Sequence, residues 1–310
     1  MQKKIAIAVD NSLHSTQAVR YAALLAAEIP EIHYVLVHIQ PTISQYLLDE
    51  AQKSHKARSE LEGIIGKNRA TATKLLEKYR LQLLQSGLPE ERLTTHTRPR
   101  HVSVADDILT LSQTQSYDAI LVGRRGVSYL QELVMGSVTA NLIDNSQLLP
   151  VWMVDGEPAS GKILLAVDGS PGALRALDHL AFILSGSKDT PIHMIHVQPT
   201  LQDFCEIEVP DDPASEAQAI LLNSDRQCID DFHAQACAIL KRYGFGSECM
   251  ELQTIRKRSG PARGIMETVG RSRFGTVVVG RRGASKSRFF GSVSRQILHK
   301  AMDCAVWIVP

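Results

Sequence analysis

The chain has 310 residues and carries 34 lysines and arginines against 33 aspartates and glutamates, so no net field draws it as a whole onto nucleic acid or an anionic membrane. Its length suffices for two ordinary domains with a substantial core each. Cys205, Cys228, Cys237, Cys249 and Cys304 are odd in number and show neither a C-x2-C pair nor zinc-ribbon spacing, which argues for reduced thiols in a cytosolic protein.

The opening MQKKIAIAVD has two lysines and then only a handful of apolar residues before Asp10, too few for the apolar region of a signal peptide. No later stretch approaches the roughly 20 apolar residues of a membrane span. The expectation is a soluble, cytoplasmic protein. Short runs rich in Val and Ile then predict strands near 3–9, 33–39, 93–97, 118–122 and 150–154. They alternate with helical patterns, the signature of β-α-β units around a parallel sheet. After the second run comes PTISQYLLDEAQKSHKA from Pro41, weakly patterned and expected to be a mobile excursion. The longest helix follows, with Leu61, Ile64, Ile65, Ala72, Leu75, Leu76, Tyr79 and Leu83 keeping the three-and-four spacing of one apolar face.

Residues 123–138 read GRRGVSYLQELVMGSV, in which Gly123, Gly126, Gly136 and Ser137 form G-x2-G-x9-G-S without the lysine of a phosphate-binding P-loop. The loop delivers Ser137 to the start of a helix, whose first N–H groups lack intrahelical partners and favour an anion. Ser137 has a second reading, as a simple helix cap. Asp10 ends the first strand and Gly123 the fourth, so both lie at the carboxyl edge of the sheet if those strands are neighbours. Together these features predict a site for a phosphate-bearing ligand.

The pattern is written twice. KIAIAVDNS returns as KILLAVDGS, carrying Asp10 to Asp168, a shift of 158 (168 − 10). VLVHIQPT returns as HMIHVQPT, AILVGRRG as TVVVGRRG, and PVWMV as AVWIV. Between the halves, DGEPASG has the composition of a linker, giving domains at 1–155 and 161–310. The second half carries its own long-helix stripe of Ile229, Phe232, Ala236, Ile239, Leu240 and Tyr243, and a proline-broken acidic segment from Pro199.

On the aspartate, the G-x2-G-x9-G-S loop and their repetition, the whole chain resembles the universal stress protein family in its tandem-domain form. The resemblance implies two tandem α/β domains of the Rossmann-like, adenine nucleotide-binding type. Each has an open parallel sheet of five strands, and the two pack as an intramolecular pseudo-dimer through the last strands bearing Trp152 and Trp307. It also implies ATP at the ends of the first and fourth strands. Asp10 and the backbone around Val37 to Ile39 would face the adenosine. Gly123, Arg124, Gly126, Gly136, Ser137 and Val138 would hold ribose and phosphates. The matching positions of the second half are Asp168, Gly280, Gly283, Gly291, Ser292 and Val293, but only seven residues separate Gly283 from Gly291.

Arg125, Arg281 and Arg282 also sit in these loops and could pair with phosphate oxygens. His193 and His196 form H-x2-H, which on a strand puts the rings on opposite faces and argues against a shared metal. His38 and His196 read as hydrogen-bonded packing residues. Neither H-x-G-H nor S-G-G-x-D-S occurs in the sequence. The expectation is therefore a stress-response or regulatory nucleotide-binding module that uses ATP, with Mg2+ held by Asp10 or Asp168 left open. A slow ATPase, a nucleotidyl-transferring enzyme and a nucleotide-free scaffold stand as alternatives. A protein partner and a homodimer of whole chains stay open.

Overall fold

A computed structural model describes residues 2–125, 135–187, 191–203, 216–256, 260–283 and 291–310. The chain divides into two compact units, Met1–Val154 and Asp155–Pro310.

The first unit runs β1 (Lys3–Ala8), α1 (Leu13–Glu28), β2 (Ile32–Gln40), α2 (Gln45–Lys53), α3 (His55–Gln85), β3 (Leu93–Pro99), α4 (Val104–Thr114), β4 (Ala119–Gly123), α5 (Ser137–Asn145) and β5 (Val151–Asp155). All pairings are parallel, in the order β3-β2-β1-β4-β5. Parallel pairing demands cover on both faces, and the apolar strand sequences match it: Ile5, Ala6, Ile7 and Ala119–Leu121 are fully buried. The connections change direction across the sheet between β1 and β4, because β1 leads outward to β2 and β3 before the chain returns to β4. That crevice is where an open sheet takes a ligand.

The segment after Pro41, expected to be a mobile excursion, is instead the helix α2. The sequence there contains no proline inside the helix, and Gln45–Asp49 and Glu50–Lys53 pairs support its exposed face. Ser54 then ends α2 and caps α3, its hydroxyl accepting from the Ala57 N–H at 3.3 Å. Within α3 the stripe divides. Leu61, Ala72, Leu76, Tyr79 and Leu83 are buried, whereas Ile64 and Ile65 are exposed.

The second unit repeats the plan with β6 (Ile163–Val167), α6 (Pro171–Leu184), β7 (Ile192–Gln198), α7 (Glu216–Arg242), β8 (Met250–Arg256), α8 (Pro261–Ser272), β9 (Thr276–Gly280), α9 (Ser292–Lys300) and β10 (Cys304–Val309). Its parallel order is β8-β7-β6-β9-β10. Ser12 and Ser170 cap the equivalent helices α1 and α6, accepting from Ser15 N and Ala173 N. Among the described residues no helix is long and apolar enough to cross a membrane, and no disulfide joins Cys228, Cys237, Cys249 or Cys304. Cys205 lies outside the described residues.

His179 on α6 is buried and meets Trp307 of β10 edge-on, ring centroids 6.0 Å apart. Burial pushes its pKa down to about 3. The unfolded chain then takes up a proton near the ordinary value of about 6.5 while the folded chain does not, so stability is lost as pH falls through that window. Urea unfolding should show a loss of about 2 kcal/mol from this residue between pH 7 and pH 5. In His179→Phe, which keeps a ring against Trp307, that slope should be shallower. Equal slopes in the two proteins would refute the account.

Candidate functional site

In the first unit the strand ends and the two glycine-loop ends converge on a cavity of about 330 Å3 lined by Asp10, Val37, His38, Ile39, Gly123, Arg125, Gly136, Ser137 and Val138, among others. Asp10 follows β1 and is held from its own helix. Its Oδ1 accepts from the Ser12 N–H at 3.0 Å and from the Ser15 hydroxyl at 2.7 Å. Its carbonyl accepts from Tyr79 Oη at 2.9 Å, so α3 braces the same corner. Burial raises the Tyr79 pKa, which keeps that phenol a donor. The Val37 carbonyl accepts from the Val9 N–H at 2.9 Å, extending the sheet past β1.

The loop that leaves β4 returns through two hydrogen bonds. Gly136 N–H donates to the Arg124 carbonyl at 2.9 Å, and the Thr139 hydroxyl donates to the Gly123 carbonyl at 2.8 Å. Gly136 is the cap residue of α5 and provides no side-chain cap, while Ser137 is the first residue inside the helix. Ser137 is thus not the capping residue. It is exposed and lines the cavity, and its side chain makes no hydrogen bond among the described residues. The start of α5 therefore faces the cavity with its first N–H groups uncapped by any side chain among the described residues.

The two glycines that cap α5 and α9 do not serve positive φ. Gly136 has φ −62° and Gly291 φ −60°. Gly123 is required by a neighbour: a Cβ there would stand 2.4 Å from the His14 carbonyl oxygen of α1. The two arginines divide. Arg125 lines the cavity, whereas Arg124 does not; its N–H donates to the Val154 carbonyl, extending the β4–β5 ladder, and its side chain is buried. Gly126 lies outside the described residues.

The second unit has a cavity of about 290 Å3, lined by all six positions matched from the sequence: Asp168, Gly280, Gly283, Gly291, Ser292 and Val293. Its loop closes as the first does, Gly291 N–H donating to the Arg281 carbonyl at 2.9 Å and Ser294 Oγ to the Gly280 carbonyl at 2.7 Å. The two-residue difference in loop length thus falls inside residues 284–290, outside the described residues, and leaves the start of α9 in place. Again the second arginine, Arg282, lines the cavity and the first, Arg281, is buried. His193 turns away to Glu251 at 2.8 Å, so it does not share a ligand with His196. No cluster of three His, Cys, Asp or Glu suited to a metal occurs among the described residues.

The universal stress protein family model matches residues 1–155 and again 160–310. The chain belongs to the universal stress protein family. A universal stress protein of Mycolicibacterium smegmatis is 24% identical over 315 residues, covering 99% of this chain and 97% of that one. Among solved structures, a universal stress protein from Archaeoglobus fulgidus DSM 4304 superposes with a TM-score of 0.66 at 16% identity over 99% of this chain and 97% of its own. A functionally unknown protein of Pseudomonas aeruginosa PAO1 gives 0.54 at 19% identity, covering 99% and 92%. At such identities these structures establish the fold of this universal stress protein, two tandem Rossmann-like domains.

The sequence singled out the strand-end aspartate and the glycine-loop residues of each cavity wall. It passed over Ser15, which holds Asp10 and differs from Ala173 in the repeat; Val104 and Ile108 of α4; and Asp203 and Asp225 of the second cavity. The Ser15/Ala173 difference was visible in the repeat alignment. Asp225 carried no signal, because its approach depends on how α7 is rotated.

Proposed function

We propose that this universal stress protein is a cytoplasmic regulatory module that binds an adenine nucleotide, ATP foremost, in the first-unit cavity. One observation carries the reading. The uncapped start of α5, with exposed Ser137, opens into the same cavity as the fixed carboxylate of Asp10. The cavity is within the usual size range of small-ligand sites, about 300 Å3 and above. Polyphosphate meets the N–H groups at Ser137 and Val138, with the Arg125 guanidinium beside them. Asp10, placed across the crevice, accepts from ribose hydroxyls, and Val37, Ile39 and Ile108 supply apolar surface for the base. With no three-residue metal cluster among the described residues, an accompanying Mg2+ would draw its ligands chiefly from phosphate oxygens and water. The second cavity shares the plan and is proposed as a further nucleotide site.

Isothermal titration of the purified, nucleotide-stripped chain with Mg-ATP, Mg-GTP and inorganic triphosphate tests this. ATP should bind and triphosphate should compete weakly, since the base contributes. Asp10→Ala should weaken ATP by about tenfold, the cost of one hydrogen-bonding group. Equal heats for ATP and triphosphate, or none for either, would remove the proposal.

A further inference from the structure

The two cavities share a histidine at the same place, one residue beyond Val37 in β2 and Ile195 in β7, but its surroundings differ. His38 of β2 lines the first cavity, and its Nδ1 lies 2.8 Å from the Val9 carbonyl. A carbonyl only accepts, so Nδ1 carries the proton and, in the neutral ring, Nε2 keeps its lone pair. That Nε2 has no partner among the described residues. His196 of β7 repeats the first bond, Nδ1 to the Val167 carbonyl at 3.0 Å, but its Nε2 lies 3.1 and 3.0 Å from the two carboxylate oxygens of Asp225 on α7. Both nitrogens of His196 therefore face acceptors, a pattern satisfied by a ring donating from both sides.

The long helices brace opposite corners. In the first unit α3 reaches the aspartate corner through Tyr79 and leaves the histidine to the cavity; in the second, α7 reaches the histidine through Asp225.

Resting on the nucleotide reading above, we propose that His38 is a specificity-determining residue of the first cavity, its Nε2 accepting a hydrogen bond from one donor on the nucleoside, whereas Asp225 occupies the equivalent atom of His196 and removes that reading from the second. The Val37 carbonyl already accepts from Val9. Among the described residues the His38 lone pair is therefore an open acceptor in the lining of this cavity, beside Ile39 and Asp10. The donor is either the exocyclic amine of the base or a ribose hydroxyl. These share one chemistry and are told apart by deleting each from the ligand.

The test pairs protein and ligand deletions in the full chain. ATP, purine riboside triphosphate (no exocyclic amine), 2′-deoxy-ATP and 3′-deoxy-ATP are titrated against the unaltered protein, His38→Phe and His38→Gln. His38→Phe should weaken ATP about tenfold and weaken one of the three analogues no further than its own deletion already does. His38→Gln, with an amide N–H for Val9 and an oxygen for the ligand, should recover part of the loss. Histidine 15N NMR supplies a readout independent of affinity. In its neutral form without ligand, His38 should carry its proton on Nδ1, and ATP should shift His38 Nε2. Additive losses across all three analogues, or a protonated Nε2 in a neutral His38, would overturn this inference while leaving ATP binding intact. Failure of every nucleotide to bind the unaltered chain would overturn both readings.

Discussion

Alanine at Gly123 should cost the first unit roughly 3 kcal/mol of unfolding free energy, at the upper end of what overpacking a dense interior costs. The added methyl would meet the His14 carbonyl oxygen at 2.4 Å and its carbonyl carbon at 2.6 Å. Both atoms belong to backbone at the start of α1, so no rotamer change relieves the contact; either the helix lifts from β4 or the strand end is displaced. Gly280→Ala repeats the experiment in the second unit, where the Cβ would stand 2.6 Å from the Gly172 carbonyl carbon. Gly66→Ala is the control. Nothing lies within 4 Å of a Cβ there, and the residue sits inside α3, so alanine should stabilise by about 0.5–1 kcal/mol. Urea unfolding followed by circular dichroism measures all three. A loss under 1 kcal/mol for Gly123→Ala would mean that α1 yields cheaply, and the glycine would then need its explanation from the ligand.

Glutamate at Ser137 should separate binding from folding. Ser137 is exposed at the first position of α5, where a carboxylate is favoured by the helix dipole by about 0.3–1 kcal/mol. The folded unit should therefore be as stable as before or slightly more so. In the cavity the same carboxylate would take the place of the phosphate and repel it. ATP affinity of the first cavity should fall by about 100-fold, on the order of 3 kcal/mol for replacing anion attraction by like-charge repulsion near a partly buried site. Calorimetry and thermal unfolding on one preparation give both numbers. Unchanged affinity with unchanged stability would show that the start of α5 does not hold phosphate. In Ser292→Glu the matched experiment reports on the second cavity, whose loop closes with the same hydrogen bonds despite its shorter excursion.

The two experiments probe distinct duties within one loop. Gly123 lets a helix cross a strand end and also lines the cavity. Gly136 and Ser137 present an uncapped helix start. A sequence motif merges these duties because each is met by a small residue, and only the neighbours distinguish them.

Much of the architecture was legible before any coordinates. Parallel strands must be apolar on both faces, so KIAIAV, VLVHI and AILVG announce themselves, and a unit written twice shows which spacings matter. Asp10, Gly136 and Ser137 could be brought to one edge from strand order alone, because the crevice of an open sheet follows from where its connections change direction. Three things were decided by tertiary contacts. The stretch after Pro41 folded as α2, since its weak pattern hides one-turn polar pairs and a shared serine boundary with α3. Which arginine of each pair enters the cavity was set by the first one's N–H continuing the sheet ladder. Last, identical histidines in identical strand contexts became an open acceptor in one unit and a clamped ring in the other. That outcome hangs on Asp225, which is 29 residues from His196 in sequence and is brought to it by the rotation of α7 about its axis, a quantity local sequence does not encode because it is fixed by packing against the sheet.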